Sequence, residues 1–323
     1  MKIACPFCKS GNLKIHQKNG HAYSTMYRCM ECSRFFSERR FTGYSGLKLP
    51  PEKIVQIVNC LMEGISVRAT ARLLDVEKKT VLRVMSHAAR LCQRVKETKL
   101  RGLRPRYVQA DELWCFVNTK EKHLRPNAPA EWGDAYTWMA IDAETKLVIS
   151  YHVGKRDPVS AFEFISDLGQ RVVGQFRFQI TTDGLRSYIP AIEERFGAGV
   201  DYAQLIKVYG TPDANQGPDW YRPGRVLEAV PIAVSGDPDE AHICTSHVER
   251  HNLTIRTQLR RFTRLTNGFS KKLENLKAAV DLYVTWYNFC RVHQTLRVTP
   301  AMEAKLTDHV WEIGELLNAG ASS

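Results

Sequence analysis

Three carboxylates lie where a charge is either costly or well aimed. Asp111 falls inside Gln109-Ala110-Asp111-Glu112-Leu113-Trp114, within the apolar run Tyr107–Val117. Such a run predicts a strand covered on both faces, and a carboxylate there is expensive unless it is paired or binds metal. Asp183 closes the next apolar stretch but two, at Thr181-Thr182-Asp183-Gly184. Crevices at the carboxyl ends of strands are where α/β sheets hold ligands, although Asp-Gly also serves ordinary turns. Glu249 follows Ser246 by three residues, which reads equally as a capping box at a helix start. At helical spacing Val248, Ile255, Leu259 and Phe262 form one apolar stripe. Glu249 then shares a second face with Arg256 and Arg260, a pattern that suits a metal meeting a phosphodiester and also a solvated Glu/Arg face. Two other acids compete for these roles. Strand alternation points Glu112 to the face opposite Asp111, and Asp142 sits in a turn sequence, Asp142-Ala143-Glu144-Thr145.

A second constellation is made of cysteines. Cys5-x2-Cys8 and Cys29-x2-Cys32 have the spacing of a zinc site, because two such knuckles aim four thiolates at one tetrahedral ion. So small a module needs its metal to fold. Cys60, Cys92, Cys115, Cys244 and Cys290 are scattered in apolar contexts and read as small core residues. The N-terminus has no apolar signal core, and no stretch has the 18 apolar residues of a membrane helix. The expected location is the reducing cytoplasm, at the nucleoid, where paired cysteines bind metal more often than they form disulfides.

The elements that position these residues differ between the two ends of the chain. From Met1 to Arg106 there are 22 basic and 7 acidic residues, a net of +15, whereas Tyr107 to Ser323 has 24 and 27, a net of −3. A basic front on a near-neutral body is the footprint of a polyanion binder. After a Gly/Pro linker at residues 43–51, helices are predicted over Glu52–Met62, Val67–Leu74 with Ser66 as cap, and from Lys78 past Leu91. The last two, joined at Asp75-Val76-Glu77, read as a helix-turn-helix. Lys78, Lys79, Thr80 and Arg83 would face DNA, with Val76, Val81, Val84 and Met85 inward; a helical protein-binding bundle is the bland alternative. The basic run from Arg94 through Lys96, Lys99, Arg101 and Arg104 to Arg106 would track phosphates or serve as a linker.

Beyond it the pattern alternates. Strands are expected at 107–117, 135–141, 146–153, 176–182 and 202–209, with helices at 158–173, 188–196, 246–266 and 271–290, which predicts an α/β body around one mixed sheet. Residues 210–239, rich in Pro, Gly and Asp, read as an insertion or long loop carrying Trp220 and Tyr221, a pair that could stack on a base.

Taken together these features resemble a bacterial insertion-sequence transposase of the DDE type, of the insertion-sequence-one family. The matching stretches are Asp111-Glu112-Leu113-Trp114, Thr182-Asp183-Gly184, Val248-Glu249-Arg250-His251-Asn252-Leu253, Arg260-Arg261-Phe262-Thr263-Arg264-Leu265-Thr266 and the tail Tyr287-Asn288-Phe289-Cys290-Arg291-Val292-His293-Gln294-Thr295-Leu296 with Thr299-Pro300. The resemblance implies a zinc ribbon over 1–42, a helix-turn-helix domain over 50–100, a ribonuclease H-like catalytic domain over 106–300 and a C-terminal helical tail over 301–323. It implies Asp111, Asp183 and Glu249 as catalytic ligands of Mg²⁺ (or Mn²⁺), with Asp111 bridging two ions and Zn²⁺ purely structural. Arg250, Arg256, Arg260, Arg261 and Arg264 would bind phosphates. Element ends and target DNA would be the partners, with at least a homodimer on DNA. Two alternatives remain: a DNA-binding regulator derived from such an enzyme, and a metal-dependent nuclease of the same fold.

Overall fold

The computed structural model describes residues 3–18, 24–174, 176–210, 226–263 and 266–322. Strands β1 (Leu13–Gln17), β2 (Met26–Cys29) and β3 (Phe35–Ser37) form a small antiparallel sheet. Its own core is little more than Cys5, Cys29 and Phe36, and the four cysteines converge beside it, the arrangement of a zinc ribbon.

Helices α1 (Pro51–Met62), α2 (Val67–Leu73) and α3 (Lys78–Lys99) follow. Ser66 caps α2 by accepting from Ala69 N at 3.2 Å. The turn before α3 is made by Asp75 at φ 48°, a left-handed conformation that Asp tolerates. Val81, Val84 and Met85 are buried, Val76 packs half-buried against them, and Lys78, Lys79 and Arg83 are exposed.

The body is one six-stranded sheet. β4 (Tyr107–Val117), β5 (Gly133–Asp142) and β6 (Val148–Gly154) run antiparallel, while β7 (Phe178–Thr182) and β8 (Val200–Tyr209) join β4 in parallel. The order β6-β5-β4-β7-β8 is completed at the far edge by β9 (Val226–Ser235). Three antiparallel strands followed by two parallel ones is the ribonuclease H-like arrangement. Helices α4 (Pro158–Arg171) and α5 (Tyr188–Phe196) cover one side, where Trp138 meets the rings of Phe164 and Tyr188. On the other side α6 (Ser246–Gln258) lies against β4, and α7 (Leu273–Phe289) against β6 and α3. Two short helices end the chain, α8 (Pro300–Glu303) and α9 (Ile313–Ser322). α9 docks on α3 so tightly that a Cβ on Gly320 would stand 2.4 Å from Leu91 O.

Three expectations need correction. Residues 226–235 are a strand and not part of a loop; the run Val226-Leu227-Glu228-Ala229-Val230-Pro231 is apolar but interrupted by proline, which a sheet accepts at its edge because the missing N–H removes no ladder bond there. Residues 211–225, with Trp220 and Tyr221, lie outside the described residues. α6 ends at Gln258, not near Thr266, because Leu259 is extended (φ −107°, ψ 106°) and a 3-10 turn follows over Arg260–Phe262. Leu259 and Phe262 are still buried, so core contact and not helical continuity spaces them. Finally, part of the basic run from Arg94 is engaged within the protein, although only Lys96 is withdrawn from the surface. Lys96 pairs with Asp167 at 3.0 Å, Arg101 with Glu97, Arg106 with Glu144 at 3.7 Å, and Arg94 donates to Gly320 O.

Arg171 of α4 closes this region. Its side chain is 1% exposed, reaching Asp167 and Glu97 at 2.7 Å each and the carbonyls of Lys96 and Leu100. These bonds take the end of α3 and fasten it to α4, so the helical module and the sheet share one continuous core.

Candidate active site

The sheet register brings two of the carboxylates together. Parallel pairing of β4 with β7 runs from Tyr107↔Gln179 to Ala110↔Thr182 and stops. Asp111 and Asp183 are the next residue on each strand, and therefore neighbours where the ladder opens. β4 continues beside β5, with Asp111 opposite Met139 and Glu112 opposite Trp138. Asp183 is also a turn former, its Oδ1 accepting from Leu185 N at 3.0 Å, so both expected roles coexist.

Glu112 joins them, which corrects the alternation argument. Its backbone does point to the α4/α5 side, but with β7 no longer paired to β4 at this level its carboxylate swings to the same gap. The acids of Asp111, Glu112 and Asp183 have oxygens within 4.8 Å of one another. Alternation fixes where a Cβ points; at a strand end it does not fix where a two-methylene carboxylate finishes. The Glu112 side chain is 2% exposed; Arg156 reaches its Oε2 at 3.2 Å and Asp183 Oδ2 at 3.4 Å. Glu112 Oε1 has no hydrogen bond of good geometry, nor has the hydroxyl of Tyr188 that faces this carboxylate.

Glu249 approaches from α6. Gln109 Oε1 accepts from His247 N at 2.8 Å and Val248 N at 3.2 Å, fixing the start of α6 on β4. Asn252 Nδ2 then donates to Asp111 Oδ2 at 2.7 Å. Thr245 and not Ser246 precedes the first helical residue, and Glu249 Oε1 accepts from Thr245 Oγ1 and from Lys207 Nζ. The capping-box contact to a backbone N–H is absent among the described residues. Glu249 is close enough for its charge to act on Asp111 and Asp183, yet it stands outside the tight group of three.

The electrostatics follow from crowding. Burial, then the negative charge of Asp183, raises the Asp111 carboxyl to about 7 against the pull of the Asn252 amide. Burial and Asp183 likewise push Glu112 to about 8, which Arg156 only partly offsets. Asp183 is raised by burial, with Leu185 N–H and Arg156 opposing. Like charges gathered in a desolvated gap behave this way. The donors are all oxygen, the chemistry of a hard divalent ion.

The other expected residues are spread more widely. Arg250 and Arg260 are exposed. Arg256 turns back to Phe262 O at 3.1 Å and so ties the end of α6. Arg261 is turned inward, donating to Ser270 Oγ at 2.7 Å and Met85 Sδ at 3.4 Å, and burial lowers it to about 10. Arg264 lies outside the described residues. Past Asp111 the free side of β4 faces the 259–270 segment until Val117 bridges Ser270. A cavity of about 830 Å³ there is lined by Trp114, Phe116, Lys120, Arg260 and Phe269. A second, of about 710 Å³, shares Arg260 and Phe269 and extends to Arg68 and Lys78 of the helical module. No carboxylate lines either among the described residues. Sequence reading missed Gln109, Glu112, Arg156 and Lys207; the available signal was that Gln109 and Glu112 are further polar residues in an otherwise apolar strand.

At the other end, Cys5 Sγ lies 3.6 Å from Cys32 Sγ and Cys8 Sγ 3.5 Å from Cys29 Sγ. Four sulfurs about 2.3 Å from a tetrahedral Zn²⁺ stand roughly 3.8 Å apart, so the cluster fits that ion.

No protein-family model matches the chain, and no curated protein matches it. Among solved structures, the piggyBac transposase synaptic complex with hairpin DNA is 11% identical with a TM-score of 0.33, covering 79% of this chain and 56% of that one. A Mos1 strand transfer complex is 17% identical with a TM-score of 0.20, over 45% and 54% of the two chains. A pre-cleavage Mos1 transpososome is 15% identical, TM-score 0.24, over 74% and 75%. The chain spans little more than half the length of the first two. Overlaps this loose assign no residue a role.

Proposed function

We propose that the protein is a DNA transposase of the DDE type, using Asp111, Asp183 and Glu249 to cut and join DNA strands at the ends of a mobile element. The observation that carries this reading is the meeting of Asp111 and Asp183 where the β4–β7 ladder stops, with Glu249 facing them from a helix that Gln109 and Asn252 fasten to the same strand. Paired divalent ions, Mg²⁺ or Mn²⁺, would there activate the attacking oxygen and steady the leaving one. Asp111, common to both neighbours, would be shared between ions, with Asp183 and Glu249 on either side. Asn252 holds Asp111 in orientation, and the fixed helix start limits where Glu249 can swing. Lys207, on Glu249, is within reach of a phosphate arriving at the same carboxylate.

DNA would be held by exposed cations. Lys78, Lys79, Thr80 and Arg83 sit at the start of α3, the part of such a helix that reads a major groove. Arg250 and Arg260 would contact phosphates nearer the acids, and the acid-free cavities between Lys78 and Trp114 support a polyanion's path from one to the other. Arg256 and Arg261 would shape that wall from behind. Zn²⁺ on Cys5, Cys8, Cys29 and Cys32 would hold the ribbon together. Two element ends must meet, so at least a dimer is expected on DNA.

The test is strand cleavage of labelled duplex carrying the flanking element ends, with Mg²⁺ or Mn²⁺. Wild type should cut, and Asp183→Asn and Glu249→Gln should not, while both still bind the duplex. Tight, salt-sensitive binding without cleavage by wild type would favour a DNA-binding regulator. Cleavage without joining to a target would favour a nuclease.

A further inference from the structure

Each carboxylate near the gap has a different set of partners. Glu249 is half-exposed, and its Oε1 is already taken by Lys207 and Thr245. Asp111 keeps one bond, from Asn252. The Glu112 side chain is 2% exposed and is fixed by its strand, and its Oε1 is left without a bond of good geometry. Three acids with oxygens inside 4.8 Å share one flanking guanidinium, Arg156, itself 42% exposed. With Lys207 already paired to Glu249 and acting on Asp183 only from there, three crowded acids are left short of positive charge, and a buried charge needs a partner or a metal. The buried carboxylate oxygen without a bond of good geometry belongs to Glu112, with only the Tyr188 hydroxyl facing that carboxylate.

Resting on the reading of this gap as a catalytic metal centre, we infer that Asp111, Glu112 and Asp183 form the seat of the first divalent ion in the DNA-free protein, with Glu249 outside that seat. Glu112 is thus a metal ligand in its own right, and Arg156 neutralises the flank of the same group. Glu249 completes a second position only when its tie to Lys207 is broken, and an incoming phosphate carries the charge to break it.

The test uses the full chain without DNA and Mn²⁺ alone, the free ion being counted by electron paramagnetic resonance. Wild type should bind one ion more tightly than any further ones. Glu112→Gln should weaken that ion at least about tenfold, since even residues standing behind metal ligands cost 10–100-fold. Glu249→Gln should leave it within about twofold. Equal losses in the two variants, or an unchanged affinity in Glu112→Gln, would overturn the inference and reduce Glu112 to an anchor for Arg156. If Glu112→Gln fails to fold, Glu112→Asp keeps the charge but withdraws it by one methylene. Weaker Mn²⁺ binding is then expected, and an undiminished affinity counts against the seat. Cleavage assays separate the two claims. Glu112-dependent Mn²⁺ binding without any DNA cleavage would remove the transposase reading and leave the seat standing. Cleavage together with Glu112-independent binding would do the reverse.

Discussion

Two clusters of charge stand in the same sheet-and-helix body, and they are built on opposite terms. Around Arg171, every strong donor meets an acceptor: Asp167, Glu97 and two helix-end carbonyls surround the guanidinium, and Lys96 adds a second cation to Asp167. Burial alone would raise the Asp167 carboxyl, but Arg171 and Lys96 hold it down at about 2. Around Asp111 the acids outnumber the cations, and the same physics drives Asp111 and Glu112 up to about 7 and 8. The first cluster is complete without any ligand and serves as a fastening. The second is left short of positive charge, at a stability cost that only a bound cation can offset.

The largest expected effect separates them in opposite directions. Arg171→Ala should destabilise the protein by about 3 kcal/mol, because it removes a buried guanidinium from Asp167 and two helix-end carbonyls and leaves Asp167 with Lys96 alone; thermal melting would show it. Asp183→Asn, by contrast, should slow cleavage at least about a thousandfold, roughly 4 kcal/mol of barrier, and in ion-free buffer should melt no lower than wild type. A variant Asp183→Asn that melted as low as Arg171→Ala would erase the distinction.

Next in size is the response to pH. Asp167 ionises in the fold well below its unfolded value, so its contribution is present above about pH 4 and is lost as pH falls through about 2. Asp111 and Glu112 are raised, so the ion-free fold takes up protons that the unfolded chain does not. Their cost grows as pH rises from about 4 to 8 and should ease by about 1 kcal/mol between pH 8 and 7. Melting curves at pH 8 and 7 should show that easing, and saturating Mg²⁺ should remove it. The smallest effect lies outside both clusters: Lys78→Ala with Arg83→Ala should weaken duplex binding and lower the salt slope by about one to two units, without changing melting.

These clusters also show what a sequence can and cannot disclose. Asp111 and Asp183 were legible because each sits at a fixed place in an apolar strand, and parallel register does the rest. Helices α2 and α3 and the turn between them were legible from Ser66, Asp75 and the spacing of Val81, Val84 and Met85. Glu112 was misread because alternation governs the backbone and the ladder's end governs the side chain. Lys96 and Arg101 looked like free charges because Asp167 and the α4 carbonyl end that receive them are some seventy residues away in the chain. Strand β9 was hidden by Pro231, which an edge position tolerates and a central one would not. The roles of Arg256 and Arg261 depended on where α6 stops, and no local signal marks Leu259 as extended.

The docking of α9 on α3 has a consequence in time. Leu316 and Leu317 are fully buried, Asn318 Oδ1 accepts from Gly43 N at 2.9 Å, and Gly320 lies against Leu91. The face of α3 opposite its exposed lysines is thus finished by residues made more than 200 positions later. At roughly 5–20 residues per second, the ribosome needs on the order of 10–40 s to add the roughly 220 residues between α3 and α9. Until then the nascent chain holds α3 without its final support, and a message cut short before Ile313 would yield a product lacking it altogether. The order of synthesis itself therefore delays completion of the helical module until the sheet has been built.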